Sequence, residues 1–147
     1  MKTHVLFLRL ILALAASSLA VHASVCSDST IKGNYAFTIR GQIIPPDGSA
    51  PIVIHGVAET RFDGVGNLVQ RDAVAANGLV SPGWRLSTGT YSVNPDCTGE
   101  MTVTNGDQPP VHIQLIVAQS GNTLHVMVID PGFATTAEAE RIHAPKK

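Results

Sequence analysis

Residues 52–78 read IVIHGVAETRFDGVGNLVQRDAVAANG, and this stretch decides the fold. Between Ile52 and Phe62, Ile54, Gly56, Ala58, Thr60 and Phe62 fall on one side, and His55, Val57, Glu59 and Arg61 on the other. A period of two belongs to a strand with one face against a core. Asp63-Gly64-Val65-Gly66-Asn67 then turns the chain and Leu68 to Ala75 forms the next strand. That strand closes at Asn77-Gly78, a turn dipeptide because both residues tolerate positive φ.

The same grammar extends in both directions. Upstream, Ile31 to Ile44 places Tyr35, Phe37 and Ile39 on one face and Ala36, Thr38 and Arg40 on the other, and Pro45-Pro46-Asp47-Gly48 ends it. Downstream, Pro82-Gly83 opens Trp84 to Val93, and a turn from Asn94 to Gly99 leads to the short segment Glu100 to Thr104. Asn105-Gly106-Asp107 and Pro109-Pro110 precede Val111 to Gln119, and Ser120-Gly121-Asn122 precedes Thr123 to Asp130. Pro131-Gly132 breaks the chain before Phe133 to Ile142, which is expected to be an eighth strand rather than a short helix.

No segment keeps an apolar period of 3.6 beyond a turn or two, so there is no helix to make a parallel crossover. The expected fold is all-β, an antiparallel closed barrel of about eight strands, with a two-sheet β-sandwich as the alternative. A sandwich usually pairs its cysteines between sheets around a buried Trp, whereas Cys26 precedes the first strand.

The N-terminus reads as a signal peptide. Lys2 supplies a positive charge, Leu10 to Ala16 is apolar, and Val21-His22-Ala23 sets small residues at the −3 and −1 positions of a cleavage site. The expected division is a signal peptide at 1–23 and a single domain at 24–147. Cleavage after Ala20 is the second choice, and Arg9 interrupts any permanent membrane span. Lipidation of Cys26 is disfavoured by Val25, where a lipobox wants Gly, Ala or Ser. The expected location is secreted or periplasmic.

Export removes Lys2 and Arg9, leaving eight basic against 11 acidic residues and a mature net charge of about −3. Outside the Lys146-Lys147 tail there is no basic cluster, so nucleic acid is not an expected partner. In an oxidising compartment the two cysteines, Cys26 and Cys97, are expected to form a disulfide.

The chemistry-bearing residues offer little. His55, His112 and His125 lie in strands, but no pair has the close spacing of a metal barrel, and parity sends His55 and His125 outward, so no metal is expected. Glu59 and Asp72 are the acidic residues within long strands, and both read as belonging to the more polar faces, Glu59 with Arg61 and Arg71. Asp63 to Asn67 lacks the further acidic ligands of a calcium loop and reads as a hairpin turn. There is no G-x-S-x-G elbow and no phosphate-cradling glycine loop.

What remains is the barrel interior. Tyr35, Phe37, Ile39, Ala58, Phe62, Tyr91, Leu115 and Val126 are the candidate ligand-binding residues, because small residues among aromatics leave room for a small apolar molecule. The expected function is binding of such a ligand without a cofactor. The alternatives are a cofactor-free cyclase or isomerase, with Tyr35 or Tyr91 as polar groups, and a structural module with a filled core. Ile116, Met127 and Ile129 add apolar residues to the outward face, where a homo-oligomer contact is expected.

Lys32-Gly33-Asn34-Tyr35, Phe62 to Asn67, Gly89 to Gly99 and Asp130 to Gly132 together resemble a group of uncharacterised exported bacterial β-barrel proteins. Their pattern is K-G-x-Y, "FDGxGN", "GTYxVNxDCTG" and "DPG". In strand pattern the chain is also similar to calycin-like barrels, including the allene oxide cyclase barrel. That resemblance implies ligand carriage or cyclisation in the interior, and fold alone does not choose between them.

Overall fold

The structure is a computed structural model that describes residues 25–142. The signal peptide read at 1–23, His143 and the Lys146-Lys147 tail lie outside the described residues.

Nine strands follow in order: β1 (Gly33–Ile43), β2 (Ile52–Phe62), β3 (Asn67–Ala76), β4 (Leu79–Val80), β5 (Arg85–Val93), β6 (Thr98–Thr104), β7 (Val111–Ala118), β8 (Thr123–Val128) and β9 (Phe133–Ile142). Eight of them form a closed ring in the order β1-β2-β3-β5-β6-β7-β8-β9. The ring shuts where β9 pairs back onto β1, from Asn34↔Ile142 to Ile43↔Phe133, and every neighbouring pair is antiparallel. The fold is therefore the barrel and not the sandwich, and the last segment is a strand. Closure leaves the ring no unpaired edge.

β4 lies outside the ring, paired only with the end of β3 through Ala75↔Val80 and Ala76↔Leu79. The sequence reading ended its third strand at Asn77-Gly78 and did not resolve this two-residue return. Both turn residues have positive φ, 47° at Asn77 and 81° at Gly78, as a tight hairpin requires.

The two ends of the barrel differ. One end is closed by the segment from Cys26 to Ile31, whose last four residues form a 3-10 turn. Ile31 has no exposed surface, and the Asp28 carboxylate accepts the Val93 backbone N–H at 2.7 Å. Cys26 is bonded to Cys97 in the β5–β6 turn.

Arg141 completes the seal. It donates to the carbonyls of Thr30 at 2.8 Å, Gly121 at 2.7 Å and Lys32, with its guanidinium 4.9 Å from the Tyr35 ring centroid. Above it Phe62 meets Tyr35 and Tyr91 edge-on, at 5.4 and 4.9 Å between centroids. These rings pack with Leu68, Leu115 and Leu124 into a dense half-core.

Candidate functional site

The other half of the barrel is hollow. A cavity of about 810 Å³ opens at the end where β1, β3, β6 and β8 finish and β2, β5, β7 and β9 begin. Its wall from β1, β7, β8 and β9 is mainly apolar, with Phe37, Ile39, Ile113, Val126, Val128 and Ala137. The hollow follows from side-chain size, because Ala58, Ala76 and Ala137 stand where larger residues would meet across the lumen.

The opposite wall carries a polar ladder across β2, β3 and β5. Thr60 Oγ1 donates to Gln70 Oε1 at 2.9 Å, and Gln70 Nε2 donates to Asp72 Oδ2 at 3.2 Å. Arg85 Nε donates to Asp72 Oδ1 at 2.6 Å. Beside it, Asn105 donates to the buried Ser87 hydroxyl at 3.2 Å. The Asp72 side chain is 7% exposed and that of Arg85 43%, so the ladder runs from the interior to the mouth.

This corrects the expectation that Asp72 lies on the polar outer face. In the β2–β3 hairpin Phe62 pairs with Leu68, Thr60 with Gln70 and Ala58 with Asp72, and cross-strand partners share a face. Asp72 therefore points inward with Ala58. Glu59 does face outward as expected, ion-paired with Arg71.

The eight residues read as candidate ligand contacts divide between the two halves. Phe37, Ile39, Ala58 and Val126 line the cavity, whereas Tyr35, Phe62, Tyr91 and Leu115 pack in the closed half, outside its lining. Both tyrosine hydroxyls are engaged there. Tyr35 donates to the Gly121 carbonyl, while Tyr91 accepts the Gly64 N–H at 2.8 Å and donates to the Asp28 carbonyl at 3.2 Å. The Tyr35 phenol is pushed up to about 12, mainly by burial, with the nearby Arg141 charge opposing the rise.

Elsewhere the polar groups serve the scaffold. The Asp63 carboxylate accepts the N–H groups of Val65 and Asn67 at 2.8 and 3.0 Å and the Asn67 amide at 2.7 Å, which makes the FDGVGN segment a self-satisfied turn. These bonds, led by those from Asn67, hold its carboxyl below the usual carboxylate range. At the cavity rim Asp130 is bound at 2.7 Å by the His112 backbone N–H and at 2.8 Å by its ring, and is lowered in the same way. Among the described residues no group of three or more His, Cys, Asp and Glu is placed to hold a metal.

On the outside, Ile116, Met127 and Ile129 are 57%, 49% and 45% exposed. His125 sits across from Ile116 and Gln114 across from Met127, so the apolar positions there are interleaved with polar ones. Among the described residues no helix is long and apolar enough to cross a membrane. Comparison with known proteins gives no match: no family model, curated protein or solved structure aligns significantly with this chain.

Proposed function

We propose that this chain, exported and freed of residues 1–23, is a soluble disulfide-closed barrel that holds a small, mainly apolar molecule in its open half. The observation that carries this is the cavity, whose volume of about 810 Å³ falls within the range of roughly 300–1,000 Å³ common among ligand pockets. It is dead-ended by the Tyr35-Phe62-Tyr91 layer, so a ligand enters and leaves by one mouth.

The Cys26–Cys97 bond supports a non-reducing compartment, and exposed outward charges such as Arg61, Glu100, Glu138 and Glu140 support solubility. A filled structural module fits poorly with this hollow. The polar ladder favours a second reading, a cofactor-free cyclase or isomerase working in the same cavity through Asp72 and its partners rather than through the tyrosines.

The test is titration with a neutral apolar fluorophore, N-phenyl-1-naphthylamine. The mature protein is expected to bind one equivalent saturably. Ala137→Phe, which places a ring inside the cavity wall, is expected to weaken binding at least about tenfold, worth about 1.4 kcal/mol, while changing the melting temperature by only a few degrees. Equal binding by both proteins would place the dye elsewhere and sink the proposal.

A further inference from the structure

The polar wall constrains what sits beside it, and the geometry points to a ligand whose polar end is uncharged and hydrogen-bonding, such as an alcohol, seated against the Asp72–Arg85 pair. This rests on the cavity being a binding site.

Three observations carry it. First, the only charged side chains lining the cavity among the described residues are Asp72, Arg85 and Asp130. Asp130 is held at the rim by His112. With Asp130 engaged there, an incoming anionic headgroup reaches a guanidinium already bound to Asp72 and meets the repulsion of that carboxylate, which disfavours it.

Second, Asp72, the buried charge of the wall, is compensated by Arg85, which reaches it from the mouth. Arg85 Nε is bound to Asp72 Oδ1, and Gln70 supplies a further donor to Oδ2. A cationic ligand would compete with Arg85 for a carboxylate that already has two donors, and would place a second positive charge beside the first. Introducing either sign of charge leaves an imbalance next to an apolar wall, where solvent screens it poorly.

Third, the ladder retains hydrogen-bonding capacity of both kinds. The bond Arg85 makes among the described residues uses Nε, so its Nη groups remain as donors on a side chain that is 43% exposed. Each Asp72 oxygen accepts one such bond and has further lone-pair capacity. A hydroxyl both donates and accepts, so it can bridge these groups without carrying a net charge.

The test displaces N-phenyl-1-naphthylamine from the mature protein at neutral pH with three probes of equal chain length, n-decanol, decanoate and decylamine. Decanol is expected to bind at least about tenfold more tightly than either charged probe. Two variants then shift the balance in opposite directions. Asp72→Asn leaves Arg85 uncompensated and should move the preference toward decanoate by about tenfold. Arg85→Gln leaves Asp72 uncompensated and should move it toward decylamine by a similar factor. The 43% exposure of Arg85 keeps the second variant informative if the first fails to fold.

Decanoate or decylamine matching decanol on the wild-type protein would overturn the inference and leave the cavity reading standing. An unchanged order in the folded variants would do the same. Failure of the dye and all three probes to bind would remove both.

Discussion

Replacing Cys26 and Cys97 together by alanine is expected to cost about 4 kcal/mol of stability. The bond joins residues 71 apart in sequence, and a crosslink over so long a loop removes much of the unfolded chain's freedom. It also anchors the segment that closes the barrel. Cys26 leads into the turn that buries Ile31 in the same core as Tyr35 and Phe62, with Asp28 bonded to Val93. Thermal unfolding should show a melting temperature lower by on the order of 10–20 °C in the double variant. A loss below about 1 kcal/mol would mean that the closed end holds without its staple.

The second large effect is a loss of stability at high pH that passes through Tyr35. An unfolded tyrosine ionises near pH 10, and the folded protein pushes Tyr35 up to about 12 because the ionised form is penalised by burial. The unfolded chain therefore gives up this proton first. Stability is intact below pH 10 and falls as pH rises towards 12, by roughly 3 kcal/mol in full and about half of that by pH 11.

Tyr91 is raised as well, again mainly by burial, and adds in the same direction. Tyr35→Phe isolates the effect, since it removes the ionising group along with the bond to the Gly121 carbonyl. Urea denaturation of both proteins at pH 8 and pH 11 should show the advantage of the wild type shrinking by on the order of 1 kcal/mol. An advantage independent of pH would contradict the burial argument.

Much of the fold was legible because its grammar is local. Turn residues about every ten positions, with period-two alternation between them, marked eight strands, and the leftover cysteines marked the staple. The Gly89 to Gly99 motif is explained by structure alone. A Cβ at Gly89 would lie 2.0 Å from the Thr102 carbonyl oxygen, Cys97 has a φ of 69°, and Asp96 Oδ1 accepts both the N–H and the hydroxyl of Thr98. A specific sequence pattern here encodes a turn and a disulfide, and none of its residues lines the cavity.

The candidate site was half legible. Alternation identified which residues face inward, but not which end of the barrel they occupy. Phe37 and Tyr35 are two residues apart on one face, yet one lines the cavity and the other floors it. What decides between them is remote in sequence, because Arg141 and the Thr30 and Gly121 carbonyls come together only after the ring closes.

Asp72 was misplaced for a different reason. Both faces of β3 mix apolar and polar residues, Gln70 with Leu68 and Val74 on one and Arg71 with Val69 and Ala73 on the other, so periodicity alone leaves parity undecided there. The hairpin register, carried across the Asp63–Asn67 turn from Phe62 to Leu68, is the signal that places Asp72 opposite Ala58.

The account turns on occupancy of the open half of the barrel. Native mass spectrometry of the mature protein purified from its own host tests this most directly, with collisional release to identify what leaves. The expected result is a mass increment of one small molecule per chain, released as an uncharged, mainly apolar species and absent from Ala137→Phe. A bare chain mass for wild-type protein that also fails to bind the neutral dye, or an increment of equal size in the variant, would contradict it.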